Sequence, residues 1–366
     1  MTTSSQLLPK DAQFGYIPAL DGIRAFAVML VIVAHSGFEH ILPAGFGVTV
    51  FFFISGFLIT RLLLAESQNS GTVDIKNFYI RRFIRLIPAL YFMLIIILGL
   101  QFITASPIKV WENIAAFTYT MNYREVYMAF VGLERAGPFG HLWSLAVEEH
   151  FYLLFPLLVL AFHKKQKLLI KICFFLCAAI FVWRGFNHYV LEFPIHYNYV
   201  ATDARMDSIL YGCLFSLLLN QKSYWPVIKR FVGFTPLILS AIVLLVCFVY
   251  RDIGFRQTAR YSLQGIAIGV GVLNLYFLGA LKPIIRLLET APLKWTGKVS
   301  YGLYLWHVPA MYIADQYLGF PKGTVPFILF SWALTFGATS FSFYYVEKPF
   351  ISLRRKFGSH VKASPA

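Results

Sequence analysis

Charge is scarce in this chain. Only 13% of its 366 residues are Asp, Glu, Lys or Arg, while 58% are hydrophobic and 18% aromatic. A soluble globular domain carries about a quarter charged residues, so that class is excluded and an all-α polytopic membrane protein is expected. Acidic residues are scarcer still, 17 against 32 Lys and Arg, leaving a net charge of +15. Such an excess can signal nucleic acid, but in a membrane chain it reports topology first, and no nucleic-acid partner is expected. Cysteine is nearly absent. Cys173, Cys177, Cys213 and Cys247 all fall in apolar runs, which excludes a disulfide framework; Cys173 and Cys177 have the spacing to face one metal ion, but thiols in such runs pack as small hydrophobes and no metal site is expected. Also missing are a basic, apolar, cleavable leader before the first span, an internal repeat and a low-complexity tract. Nothing in the chain reads as removable or as a soluble appendage.

What is present is a series of apolar runs at roughly 17–37, 46–65, 86–104, 143–162, 168–186, 203–219, 234–250, 260–280, 300–318 and 325–346, each near the length that crosses about 30 Å of hydrocarbon. They suggest about ten transmembrane helices. With the N-terminus inside, the inner segments hold about 21 Lys and Arg and the outer segments about seven, so both termini are expected in the cytoplasm. The expected organisation is a cytoplasmic segment 1–16, one membrane domain 17–350 and a basic cytoplasmic tail 351–366. "GIAIGVGV", residues 265–272, reads as close helix packing and not as a nucleotide loop.

The first span sets the functional question. In "IRAFAVMLVIVAHS", Arg24 and His35 lie eleven positions apart; at about 100° per residue they share one helix face, about 16 Å apart along the axis. An arginine near a helix centre costs roughly 2.5 to 3.5 kcal/mol to insert, so two polar groups on one membrane face suggest a site. The bland alternative is an interfacial Arg and a capped His.

The other polar residues sort into two layers on this topology. Towards the outside lie His35, Glu148 and Glu149 in "HLWSLAVEEHFYLLFP", Asp203, Arg205 and Asp207 in "TDARMDSILYG", and His307 in "SYGLYLWHVP". Asp203 and Asp207 share a helix face with Arg205 turned aside, an arrangement that holds an amine or hydroxyl or merely caps the span. Two consecutive carboxylates inside an apolar helix each need a partner, and a carboxylate beside an imidazole supports it as a general base; His35 with Glu148 or Glu149 is the expected pairing. Towards the inside lie Arg24 and the cluster Arg81, Arg82 and Arg85 in "FYIRRFIRLIPALY". Guanidinium forks suit phosphates, although positive-inside anchoring explains arginines equally well.

A ligand lying along the Arg24 and His35 face would keep phosphates inside and its reactive end about 16 Å further out. Coenzyme A has that shape, with phosphates, a long arm and a terminal thioester. The residues therefore suggest a membrane acyltransferase in which Arg24, Arg81, Arg82 and Arg85 hold cytoplasmic acyl-CoA, and His35 deprotonates an acceptor hydroxyl or takes the acyl group itself.

At these residues the chain resembles the acyltransferase family 3 integral-membrane acyltransferases of bacteria, from about residue 17 to 350. "LDGIRAFAVMLVIVAH" matches the family's first-span motif, "GFGVTVFFFISGFLIT" its second with Gly47, Phe52, Ser55 and Gly56, and "FYIRRFIRLIPALY" its arginine-rich third span. "WSLAVEEHFYLLFP" resembles the paired-glutamate segment, "RMDSILYG" the Arg/Asp segment, and "SYGLYLWHVP" and "VEKPF" the closing motifs. Two departures stand out. Thr49 replaces an Asp common in the family, removing a possible charge partner beneath Ser55; His150 replaces a Gln, adding a titratable group beside the glutamates.

The resemblance implies O-acylation, most often O-acetylation, of a carbohydrate-containing acceptor such as a cell-surface glycan, by a multi-pass protein of the bacterial cytoplasmic (inner) membrane. It implies His35, Glu148, Glu149 and Arg24 as catalytic residues, with Ser55, Asp203, Arg205, Asp207 and His307 at an acceptor or structural site. Ser55 in "ISGF" reads as close packing or a local bend, with nucleophilic attack the alternative. Acetyl-CoA is the expected donor substrate, no permanently bound cofactor is expected, and a homo-oligomer is left open. Some members carry a hydrolase-like domain after the membrane unit; the chain is expected to act as the stand-alone form. The alternative reading is a transporter, or an export-complex subunit, whose intramembrane charges line a pathway.

Overall fold

A computed structural model describes residues 19–104, 109–133 and 137–354. The expected N-terminal segment 1–16 and most of the basic tail lie outside the described residues. Among the described residues the chain is helical, without strands. In order it forms α1 (Leu20–Val33), α2 (Ala44–Ser70), α3 (Ile75–Ile103), α4 (Val110–Phe117), α5 (Met121–Phe130), α6 (Trp143–Phe162), α7 (Gln166–Tyr189), α8 (Ile195–Val200), α9 (Thr202–Arg205) and α10 (Asp207–Asn220). It continues through α11 (Trp225–Lys229), α12 (Phe234–Val249), α13 (Ile253–Gln257), α14 (Ala259–Phe277), α15 (Lys282–Leu288), α16 (Ala291–Lys298), α17 (Ser300–Gln316), α18 (Val325–Phe341) and α19 (Lys348–Arg354).

Among the described residues six helical segments are long and apolar enough to cross a membrane, and up to eight if each of two bent pairs counts as one span. The expectation of about ten spans is thus met only in part. The pairs α11 with α12 and α14 with α15 bend by 77° and 88°. The remaining two expected spans form α10, of 14 residues, and α17, of 17 residues, which at 1.5 Å per residue reach only about 21 and 26 Å. Between 105 and 142, read from sequence as a long loop, the chain forms the short helices α4 and α5.

The centre of the bundle is α2, held between α1 and α10. Small residues allow this approach. A Cβ on Gly56 would lie 2.0 Å from the Ile209 carbonyl oxygen, and one on Gly212 1.9 Å from that of Phe53, so the α2 and α10 backbones nearly touch. The expected packing role of "ISGF" follows directly, without a bend, since α2 is continuous. Gly265 and Gly269 likewise rest against Tyr211 and Phe215, as "GIAIGVGV" implied. At the start of α1, Gly22 meets Leu288 of α15 and Gly297 of α16 meets Asp21, which brings α15 and α16, with Lys282, Arg286, Lys294 and Lys298, to the Arg24 end of α1. The four cysteines are buried free thiols.

Candidate functional site

The two ends of α1 open on separate chambers. Around Arg24 is a cavity of about 210 Å³ lined by Ser55, Arg82, Arg85, Glu148, Glu149 and Tyr152, among others. Here α3 delivers the arginines and α6 the carboxylates. Arg82 donates to Glu149 at 3.1 Å and Glu148 at 3.4 Å, and its guanidinium lies 3.3 Å from the Tyr152 ring centroid. Tyr152 donates to Glu148 at 2.6 Å, and the Ser55 hydroxyl donates to the same carboxylate and meets Tyr152. Both glutamates are therefore engaged by Arg82. Among the described residues Arg24 forms its one ion pair with Asp21, at 3.7 Å, and Arg85 makes no hydrogen bond or ion pair, which leaves this chamber with cationic groups available to an anion. Arg81 does not belong to it; it pairs with Glu66 at 2.9 Å.

At its other end α1 widens into a π-turn, Ala34–Phe38, closed by Gly37 at φ 121°. Such turns break the regular ladder and often sit at functional positions. Gly37 is needed twice, for that φ and because a Cβ would lie 2.7 Å from the Gly323 Cα. His35 lies in the turn and lines two cavities, of about 1110 Å³ and 470 Å³. Its Nδ1 is 3.0 Å from Nε2 of His307, and the two rings are parallel to within 4°. His307 is fully buried on α17, and its Nδ1 is 2.7 Å from the Tyr304 carbonyl. A carbonyl only accepts, so His307 Nδ1 carries the proton; in the neutral ring Nε2 then accepts from His35 Nδ1–H. The chain of bonds leaves the His35 Nε2 lone pair free of any partner among the described residues. A third imidazole, His141, packs edge-on against His307 with centroids 5.2 Å apart, and its Nε2 lies 3.1 Å from the Leu305 carbonyl.

The expected pairing of His35 with Glu148 or Glu149 is therefore corrected. His307 is its partner, and both glutamates belong to the Arg24 chamber, because α6 turns them towards α2 and α3. Val48 and Tyr304 line both the 210 Å³ chamber and the 470 Å³ cavity, so the two ends approach to within one layer of side chains.

Asp203 and Asp207 do share a face, towards α7, but form no joint site. Asp203 accepts from Trp183 at 2.5 Å and Tyr197 at 2.7 Å; Asp207 forms a fully buried ion pair with Arg184 at 2.7 Å. Arg205, on the opposite side, sits 3.9 Å over the Tyr261 ring and donates to Thr49 Oγ1 at 3.3 Å. Thr49 thus meets Arg205. His150 turns from the glutamates to Thr202, at 2.8 Å. Sequence reasoning missed Tyr152, one turn beyond Glu148, and His141 and Tyr304 inside segments already singled out. It also missed Arg184, although an arginine in an apolar span is itself a signal.

The acyltransferase domain model matches residues 17–347. A peptidoglycan O-acetyltransferase, OatA, of Listeria monocytogenes is 30% identical over 91% of this chain and 56% of its own length. OatA, an O-acetyltransferase of Staphylococcus aureus, is 30% identical over 91% and 57%, and a putative O-acetyltransferase of that species is 30% identical over 93% and 58%. The chain spans a little over half the length of these curated relatives. No solved structure matches. With apolar helices throughout and a family match over nearly all of its length, this chain is a polytopic membrane member of the acyltransferase 3 family.

Proposed function

We propose that the chain is a membrane O-acetyltransferase that takes an acetyl group from acetyl-CoA at the Arg24 end and delivers it to a hydroxyl of a cell-wall glycan, peptidoglycan in the first instance, at the His35 end. The observation that carries this reading is that a single helix joins a cationic chamber to a histidine whose Nε2 has no partner among the described residues, with Val48 and Tyr304 lining both the chamber and a cavity beside that histidine. Arg24, Arg82 and Arg85 hold the donor phosphates, and remote binding of that kind positions a thioester. His35 Nε2 takes the proton of the acceptor hydroxyl as its oxygen attacks the thioester carbonyl. Collapse of the tetrahedral adduct breaks the C–S bond, and the departing thiolate takes that proton. His307 is a positioning residue, holding His35 in the tautomer whose Nε2 accepts. Transfer through an acetyl-His35 intermediate uses the same nitrogen. The working location is the bacterial cytoplasmic membrane with the Arg24 end inside. Purified protein in nanodiscs, given labelled acetyl-CoA and a glycan pool, tests it: wild type binds donor and transfers label, whereas His35→Ala binds donor and does not transfer. Equal transfer by both proteins would remove His35 from the chemistry.

A further inference from the structure

The larger of the two cavities beside His35 carries an unbalanced charge. The 1110 Å³ chamber beside His35 is lined by Arg251, Arg256 and Arg260, which fall within residues 251–260, from the α12 to α14 connection into the first turn of α14. The fold gathers in one wall three of the roughly seven cations that the positive-inside reading leaves outside. None of the three forms an ion pair with a carboxylate among the described residues. Asp252, the nearest acid in sequence, caps α13 by accepting from Phe255 N at 2.7 Å. Glu39, across the cavity, is engaged by Lys322 at 2.7 Å. Arg260 donates one bond to the Tyr261 hydroxyl at 3.2 Å, while its Nε is buried without a partner. Burial, followed by the like charges of Arg260 and Arg251, lowers the Arg256 pKa. Such a cluster is stabilised by an anion entering among them.

We propose that this chamber binds an acceptor bearing an anionic group, a carboxylate or a phosphate, which Arg251, Arg256 and Arg260 grip while a hydroxyl of the same molecule reaches His35. The proposal rests on the acyl-transfer reading for the role of His35, but the anion site stands on its own residues. Guanidinium forks match both oxyanions in bidentate geometry, and the volume admits a sugar unit together with its charged substituent. An acidic glycan is thereby selected over its neutral counterpart before chemistry begins.

The test uses the full chain in phosphatidylcholine nanodiscs. Two probe pairs separate the anion sources: a trisaccharide of uronic acid and N-acetylglucosamine against the same sugar with its carboxylates reduced to alcohols, and N-acetylglucosamine 1-phosphate against N-acetylglucosamine. The expected result is that at least one anionic probe binds about tenfold or more tightly than its neutral partner, that salt erodes the preference, and that Arg256→Gln with Arg260→Gln abolishes it. Because Arg260 is partly buried, the exposed Arg251→Gln is measured alongside and should lower the preference in a protein that still binds acetyl-CoA. Equal binding of neutral and anionic probes, or binding of neither anionic probe, overturns the proposal. So does a result in which the arginine variants alter only retention of phosphatidylglycerol in mixed-lipid discs, which would assign the cluster to lipid headgroups. Thioester turnover measured on the same discs keeps the two readings apart: anion preference without any acetyl-CoA consumption would refute acyl transfer and leave the site intact.

Discussion

Replacing His307 isolates what orientation contributes to His35. In His307→Phe the bond from His35 Nδ1 to Nε2, 3.0 Å in the native protein, is lost and the Tyr304 carbonyl loses its 2.7 Å partner. His35 itself stays in place at the Gly37 turn. A single neutral hydrogen bond contributes about 0.5 to 1.5 kcal/mol net, so releasing the His35 ring should lower kcat by roughly two- to twelve-fold. Removing the base altogether, in His35→Ala, forfeits the roughly 10²- to 10⁴-fold of general base catalysis. In His307→Gln the amide oxygen can still accept from His35 Nδ1–H, so this variant should recover part of the rate. The predicted order is wild type, His307→Gln, His307→Phe, His35→Ala, read as initial rates of labelled acetyl transfer with donor affinity unchanged throughout. The reasoning is refuted if His307→Phe transfers at the wild-type rate, or if both His307 variants are as inactive as His35→Ala while still binding donor.

Three further outcomes follow from the geometry. Arg85→Ala removes a cation that has no partner among the described residues; donor binding, measured with labelled acetyl-CoA, should weaken by about ten- to a hundredfold, as expected for a charge-assisted contact, while glycan binding is unchanged. Transfer should fall as pH is lowered through the protonation of His35, since only the neutral ring accepts a proton at Nε2, and a flat profile across that range would exclude it as the base. Asp207→Ala leaves Arg184 as an unpaired buried charge and should cost about 3 to 5 kcal/mol, seen as a lower unfolding midpoint in detergent; Arg184→Met with Asp207→Leu should recover most of that loss.

Much of the fold was legible because it depends on local pattern. Apolar length marked the spans, "ISGF" and "GIAIGVGV" marked close packing on α2 and α14, and helical periodicity placed Asp203 and Asp207 on one face. The two ends of α1 were legible for the same reason, since eleven positions at a fixed pitch set both direction and separation. Partnerships across the bundle were not. His35 and His307 are 272 residues apart in sequence, and which imidazole or carboxylate reaches His35 depends on how α6 and α17 rotate against α1, which neither helix encodes alone. Glu148 and Glu149 were assigned to the outer layer by their place early in a span; α6 instead turns them onto Arg82, the cation that offsets burying two adjacent carboxylates. Among the described residues six helices, or eight with the bent pairs, have the length and composition of a span against the ten runs read from sequence, because hydropathy measures apolar length and is blind to a change of direction.

The central claim is that donor and acceptor are handled at opposite ends of α1. Sealed proteoliposomes with protein of known orientation test it most directly, with acetyl-CoA supplied on one side and glycan on the other. The account predicts label transfer only when acetyl-CoA is on the Arg24 side and the glycan on the His35 side. Transfer when both are confined to the His35 side, with sealed membranes verified, would contradict it.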